Sequence, residues 1–182
     1  MNRRFLELKL KEDSESQLLI KHLGRLLTEK YSNLPERYLE ENYLRTVLNW
    51  SIERIFKLDD LVNDSSFNFL WTDMSNLLSD EAINSQTRQQ ILELIENLEL
   101  HLTDSSCLFF TDKSQFKKEM SLIFKQTKSS SKVKSEKKVN YWQMIRFILT
   151  GNEQGPPVFE IFSLLQKENI IYRLEIAKKR FI

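Results

Sequence analysis

Apolar residues recur every three or four positions along most of this chain, which is the spacing of one face of an α-helix. A first stripe of leucines runs from Leu19 to Leu27. Ser14 and Gln17 precede it with the spacing of a capping box, in which two side chains satisfy the free N–H groups of a helix start. The sequence therefore predicts a helix that begins near Ser14 and ends near Tyr31.

Three further stripes predict three more helices. The second is predicted from about Glu36 to Phe56, the third runs from Asn84 to Leu102, and the fourth begins at Asp112. Turn-forming residues are scarce, because the 182 residues include only three glycines and three prolines. An all-β fold needs many more turns than these residues supply, so the pattern predicts an all-α protein.

The most apolar stretch of the chain, YWQMIRFILTGNEQGPPVFEIFSLL, begins at Tyr141. Its first ten residues carry only Gln143, Arg146 and Thr150 as polar side chains outside the aromatic residues. Spacings of three and four place these side chains on one narrow stripe of a helix that is otherwise predicted to be buried. A single cation therefore lies on the polar stripe of a buried helix.

A tight corner is predicted directly after that helix. Gly151 stands where a helix C-terminus often needs a left-handed residue, and Pro156 stands at a first-turn position of the next helix, where a missing N–H costs nothing. Two interpretations of Arg146 remain open at this point. It is either a structural ion-pair partner or a residue that contacts a ligand.

The organisation of the chain follows from two segments of unusual composition. NDSSFNFLWTDMS is aromatic and rich in turn-forming residues, which predicts a boundary between two subdomains of residues 1–62 and 63–182. KQTKSSSKVKSEKK contains almost nothing that a core could bury, which predicts a flexible basic loop at about residues 126–138.

Composition excludes several classes of protein. The longest apolar runs end well before the roughly 18 residues of a membrane-spanning helix, so we expect no membrane contact. The single cysteine, Cys107, and the absence of paired histidines leave no zinc-binding pattern. No combination of carboxylates, histidine and nucleophile is typical of a catalytic site.

The formal net charge of +1 conceals two oppositely charged regions. Residues 34–110 contain 5 Lys and Arg against 14 Asp and Glu, whereas residues 111–146 contain 10 against 3. A basic stretch beside an acidic body is typical of a protein with one side that faces a polyanion. A solvated lysine-rich loop explains the composition equally well, and both interpretations stay open.

The corner stretch closely resembles the C-terminal helical segment of glutamyl-tRNA synthetases. In that family an arginine and a few apolar residues precede a small polar residue and a glycine, and Gly-Pro and an apolar helix follow. The QGPP form is most similar to the mitochondrial members. The segments LPERYLEENYLRTVLNWSIERIFKLDDLV, FNFLWTD and MNRRFLEL are similar to further parts of the family, so the resemblance covers essentially the whole chain.

The resemblance implies the anticodon-binding region of that family, an all-α helical cage of two small helical subdomains that grips a tRNA, here tRNA(Glu). Anticodon bases are unstacked and can be read at their edges, whereas lysines neutralise phosphates without reading sequence. Candidates for contacts near bases are Arg54, Lys57 and Arg146, and candidates for phosphate contacts are Lys137 and Lys138. A structural or solvated role stays open for each of these five.

The family's chemistry is not expected in this chain. Glutamyl-tRNA synthetases activate glutamate with ATP in a Rossmann domain that carries HIGH-type and KMSKS-type motifs, and neither motif occurs here. His22 and Gly24 have part of the first spacing, but they lie in an amphipathic helix with no strand before it. We therefore expect no catalytic residue, no cofactor and no aminoacylation by this chain alone.

Two further expectations depend on the resemblance. Besides tRNA, the expected partner is the catalytic domain of the same synthetase, and the expected compartment is the mitochondrial matrix. The alternative hypothesis is a helical protein-interaction module that kept the fold and lost tRNA binding.

One residue departs from the family. Gln166 stands where glycine is usual, and a left-handed conformation would cost a glutamine about 1 kcal/mol. The sequence therefore predicts that this part of the last helix is remodelled.

Overall fold

The computed structural model describes residues 6, 8, 10, 12–71, 85–103, 110, 112–130 and 140–182. Every regular element within these residues is helical, which confirms the all-α prediction. The helices are α1 (Asp13–Lys30), α2 (Glu41–Ser51), α3 (Asp60–Asn63), α4 (Ser85–Thr103), α5 (Lys113–Ser130), α6 (Tyr141–Thr150) and α7 (Val158–Phe181), with 3₁₀ helices at Glu36–Tyr38 and Ser65–Leu70. None of the described helices combines the length and the apolar character that crossing a bilayer requires.

The chain forms two compact units, residues 1–72 and residues 73–182. The sequence analysis placed the division after Val62 instead. Two buried hydrogen bonds explain why the next residues belong to the first unit. Trp71 Nε1 donates to the Leu61 carbonyl (2.7 Å), and the Tyr43 hydroxyl donates to the Leu70 carbonyl (2.8 Å). Residues 63–71 of the aromatic segment that composition suggested as a boundary thus belong to the first unit.

Helix α1 has nearly the predicted bounds but a different start. The capping box of Ser14 and Gln17 does not form, because the helix begins at Asp13 with Glu12 as its N-cap, and the Glu12 side chain makes no capping hydrogen bond. Asp13 and Glu15 lie in the first turn instead, where negative charge favours a helix N-terminus.

The predicted second helix is split in two. A 3₁₀ turn at Glu36–Tyr38 precedes α2, which begins only at Glu41, because Glu40 has an extended backbone (φ −62°, ψ 134°). Helix α2 then ends at Ser51 rather than at Phe56. Apolar spacing alone did not reveal these breaks, since the buried residues on both sides keep a helical period.

In the second unit, α4 agrees with the predicted helix to within one residue at each end. Helix α5 begins as predicted, since the Asp112 carboxylate accepts the Gln115 backbone N–H (2.7 Å). It continues to Ser130, however, so the predicted loop at 126–138 is wrong over residues 126–130. The buried Thr127 hydroxyl accepts a hydrogen bond from Asn97 of α4 (3.1 Å), which gives this polar turn a packing partner. Residues 131–139 lie outside the described part.

One apolar cluster joins α4, α5, α6 and α7. Its fully buried side chains include Leu94, Met120, Ile148 and Phe162, one from each helix. At the edge of the cluster Lys178 Nζ donates to Glu99 Oε2 (2.8 Å), and this hydrogen bond raises the pKa of Lys178. The four helices thus share one core that fixes the ends of α6 and α7.

Helix α7 differs from the prediction at its start. It begins at Val158, with Pro157 as its N-cap, so Pro156 lies before the helix and not in its first turn. It also bends at Gln166, whose backbone (φ 59°, ψ 169°) is non-helical. The sequence predicted remodelling at this position, and the structure has a bend there with a positive φ on Gln166, in a region that glycine alone occupies without strain.

Candidate nucleic-acid interface

The turn after α2 presents two of the predicted tRNA-binding residues on the surface of the first unit. Arg54 is exposed, and its guanidinium donates to the Trp50 carbonyl (2.5 Å). The Arg54 Cζ atom lies 4.3 Å from the centre of the Trp50 ring, which is cation–π contact. The local i, i+4 pairing therefore holds the guanidinium at the surface without burying it.

Trp50 is itself fixed by the core of the first unit. Its half-buried ring meets Phe67 and Phe69 edge-on, with ring centres 6.2 Å apart in both pairs. Both phenylalanines belong to the 3₁₀ helix that Asp64 caps. The Ser66 N–H donates to Asp64 Oδ1 (2.8 Å) and holds the pKa of that carboxyl below its ordinary value. A surface arginine is thus connected to the aromatic core through one tryptophan.

Asp60 holds the remainder of this turn. One of its carboxylate oxygens, Oδ2, accepts the backbone N–H of Phe56 (2.9 Å) and of Lys57 (3.0 Å). The Lys57 side chain is exposed and borders an open depression that His22 of α1 also lines. Arg54 and Lys57, both candidates from the sequence analysis, therefore lie on one turn that hydrogen bonds fix.

The corner between α6 and α7 lies in the second unit and has the predicted left-handed glycine. Gly151 has φ 74° and ψ 0°, and its N–H donates to the Phe147 carbonyl (2.8 Å). Asn140 caps the other end of α6 through its side chain. The helix is less buried than predicted, since residues 141, 142, 144 and 147 are half-buried. The polar stripe runs from an exposed Gln143 to a buried Thr150.

Arg146 ties the corner loop to α6. Its NH1 donates to the Glu153 carbonyl (2.8 Å), and its Nε donates to the Pro156 carbonyl (3.1 Å). A Cβ added at Gly155, where φ is 139°, would lie 3.8 Å from the Arg146 side chain. Arg146 therefore has a structural role, but its partners are backbone carbonyls and not the acidic side chain of an ion pair. Its contact with tRNA stays a prediction.

A second arginine at this corner was missed by the sequence analysis. Arg173 of α7 is completely buried, and its NH1 donates to the Leu149 carbonyl at the C-terminus of α6 (2.5 Å). A signal was available, because Arg173 lies at helical spacing between Ile170 and Ala177 on the apolar face. A cation there must find a buried acceptor, and the carbonyls at a helix C-terminus are such acceptors.

The structure therefore places Arg54 and Lys57 on one turn of the first unit and Arg146 at the α6–α7 corner of the second unit. Lys137 and Lys138 lie outside the described residues. Within the described ranges, no group of three or more His, Cys, Asp or Glu side chains could hold a metal ion. Arginines and a lysine on fixed turns can donate to phosphates and bases, which is the chemistry of an RNA-binding module.

An all-helical chain with cationic side chains on rigid turns fits a helical nucleic-acid-binding domain. The model of the family described as anticodon binding domain matches residues 17–178, and the chain belongs to that family. Membership implies tRNA as its partner and places it among domains of the kind that aminoacyl-tRNA synthetases carry. Searches of the curated proteins and of the solved structures found no significant match.

Proposed function

We propose that this chain is the anticodon-binding region of a glutamate–tRNA ligase and that it serves glutamyl-tRNA synthesis in mitochondrial translation. In this proposal it binds tRNA(Glu) in the mitochondrial matrix. A catalytic domain of the same synthetase, which is not contained in the 182 residues, uses ATP to activate glutamate. The chain itself holds no cofactor.

The observation that carries the proposal is the corner between α6 and α7. The residues that gave the resemblance to glutamyl-tRNA synthetases are also the residues that define its geometry. Gly151 supplies the left-handed helix end, Gly155 has the second positive φ, and Arg146 binds the loop between them. A motif of which the two glycines and the arginine each have a structural task supports common descent more strongly than a match in composition.

The proposed interaction with tRNA has two physical parts. Unstacked anticodon bases expose their edges and faces to guanidinium and aromatic groups, which gives sequence discrimination. Lysines neutralise phosphates, which gives affinity that falls steeply with salt and carries no sequence information. We place Arg54, Lys57 and Arg146 near the anticodon bases and assign Lys137 and Lys138 to phosphate contacts.

The test is binding of the full chain to tRNA(Glu) and to a non-cognate tRNA at two salt concentrations. We expect tighter binding of tRNA(Glu) at both, and a loss of affinity for both tRNAs as the salt concentration rises. Equal affinity for the two tRNAs would contradict glutamate specificity but not tRNA binding. Glutamate-dependent ATP–pyrophosphate exchange by the purified chain would contradict the absence of catalysis.

A helical protein-interaction module without tRNA binding is the second candidate. The observation that favours it is Arg146, whose guanidinium already donates to two backbone carbonyls. This candidate predicts a folded chain that binds no tRNA at either salt concentration. The same experiment therefore separates the two functions.

A further inference from the structure

Phe56 is the only exposed aromatic residue in the described part of the chain. Its side chain is 79% exposed, whereas every other aromatic side chain in the described ranges is buried or half-buried. Single exposed aliphatic residues are common on protein surfaces. An exposed ring in a chain that buries its other rings needs a local reason.

The exposure of this ring does not come from a loose segment. Ile55 precedes it and Leu58 follows it by two residues, and these are only 2% and 3% exposed. The N–H groups of Arg54 and Ile55 donate to the Ser51 carbonyl, at 2.7 and 3.1 Å. The N–H of Phe56 itself donates to Asp60 Oδ2 (2.9 Å). Core contacts on both sides and a fixed backbone therefore direct the ring into solvent.

Two exposed cations are close to Phe56 in the sequence. Arg54 lies two residues before Phe56, and Lys57 follows it directly. The Arg54 guanidinium is held against Trp50, so little side-chain freedom is lost when it binds a second partner. The same stretch also carries the exposed Glu53 and the half-buried Asp59 and Asp60, of which Asp60 accepts two backbone N–H groups of the turn, which offsets part of its charge.

An apolar face flanked by positive charge is complementary to an unpaired nucleotide, which has a flat π-face beside a phosphate. Proteins that bind single strands use this combination of aromatic platforms and cationic side chains. A purely apolar protein partner would leave both cations beside an apolar surface, where their loss of hydration would oppose binding.

We propose that Phe56 stacks on one unpaired base of the anticodon loop, while Arg54 and Lys57 bind the phosphates next to that base. This inference rests on the tRNA-binding function proposed above, and adds to it a stacking residue and its place in the first unit.

The test compares the full-length chain with Phe56→Ala, Phe56→Leu and Phe56→Tyr in binding to tRNA. Loss of one base–aromatic stack corresponds to about 5- to 150-fold weaker binding. We expect Phe56→Ala and Phe56→Leu to lose affinity by this factor and Phe56→Tyr to retain it. The matched control is Leu100→Ala in the second unit, because Leu100 is similarly exposed at 74%. It should bind as the unmodified chain does.

A second measurement reports the stack directly. The adenine analogue 2-aminopurine, placed at each unpaired loop position of an anticodon stem-loop in turn, loses fluorescence when it stacks. We expect the unmodified chain to quench one position strongly and Phe56→Leu to leave that position bright.

The outcomes separate this inference from the proposed function. If the unmodified chain binds no tRNA, the proposed function fails and the stacking inference fails with it. If the chain binds tRNA, the inference is overturned when Phe56→Leu binds as tightly, or when no loop position is quenched. Equal binding by Phe56→Leu would indicate an apolar contact without stacking.

Discussion

Arg54 and Arg146 both donate hydrogen bonds from a guanidinium to backbone carbonyls, but they use them differently. Arg54 binds the carbonyl four residues before it and lies against Trp50 at the surface of the first unit. Arg146 binds carbonyls seven and ten residues after it and thereby holds a loop of the second unit. The first contact orders one side chain, and the second orders a segment of backbone.

This difference indicates how each arginine can contribute to ligand binding. A side chain held by its own helix end remains available at the surface, and its removal changes the backbone little. A side chain that binds a loop acts on a ligand mainly through the shape of that loop. We therefore expect substitution of Arg54 to affect tRNA binding more than stability, and substitution of Arg146 to affect stability more than binding.

The largest expected effect is at Arg173, which supports the same corner as Arg146. Arg173→Met keeps the apolar volume but leaves the Leu149 carbonyl buried without this donor, so we expect a loss of about 2–4 kcal/mol in the free energy of unfolding. Urea denaturation followed by circular dichroism measures it. Lys179→Ala, at an exposed position of the same helix, is the control and should change stability by less than about 0.5 kcal/mol. Equal effects would show that the corner does not depend on this arginine.

Arg146→Ala and Arg54→Ala test the comparison itself. We expect Arg146→Ala to lower the free energy of unfolding by about 1–3 kcal/mol, since it removes two charge-assisted hydrogen bonds. Arg54→Ala should cost less than about 1 kcal/mol of stability, which is the worth of an exposed cation–π contact, and should weaken tRNA binding. Denaturation and gel-shift measurements on both variants decide the matter. If Arg146→Ala weakens tRNA binding while the free energy of unfolding stays unchanged, the distinction drawn between the two arginines is wrong.

Gly151→Val tests the backbone of the corner without touching a cation. A β-branched residue at φ 74° is strained, so we expect a loss of about 2 kcal/mol in the free energy of unfolding. Affinity for tRNA should change only where the variant is partly unfolded. Gly24→Ala is the control, because a Cβ at Gly24 would meet its nearest neighbour at 3.8 Å, an ordinary contact. A binding defect in a fully folded Gly151→Val would indicate that the corner contacts tRNA directly.

The smallest expected effect is a gain. Gln166→Gly should raise the free energy of unfolding by about 1 kcal/mol, because glycine adopts φ 59°, ψ 169° without strain. Gln166→Ala keeps the Cβ and should leave stability nearly unchanged. The midpoint of urea denaturation measures both. If the two variants have the same stability, the positive φ at this position is not strained.

Much of the fold was predictable, and the errors have a common cause. The stripes of α1, α4 and α5 predicted their positions because long amphipathic helices keep one period over several turns. The division of the second predicted helix was missed because Glu40 and the turn after Ser51 interrupt the backbone without interrupting the apolar period. Thr127 was assigned to a loop because its buried partner, Asn97, is far away in sequence.

The candidate site was predictable only in part. The left-handed Gly151 followed from helix-end rules, and the structure confirms it. The family pattern predicted only that the helix is remodelled at Gln166, and not the positive φ that the structure has there. The partners of Arg146 could not be predicted, since they are backbone carbonyls whose positions depend on the folded loop. Phe56 was taken only as a helix end, because exposure is a property of tertiary structure and not of residue type.

The bend at Gln166 has a consequence for how this shape can change through evolution. Where glycine stands, a bend can be attributed to the residue itself. Here the bend persists on a residue that disfavours it, and it lies between Leu165 and Ile170, which the core buries completely. We infer that packing of the core determines the bend, so that the residue at position 166 can change during evolution without loss of the bend. Substitutions at those two buried positions should then be tolerated less readily than substitutions at the bend.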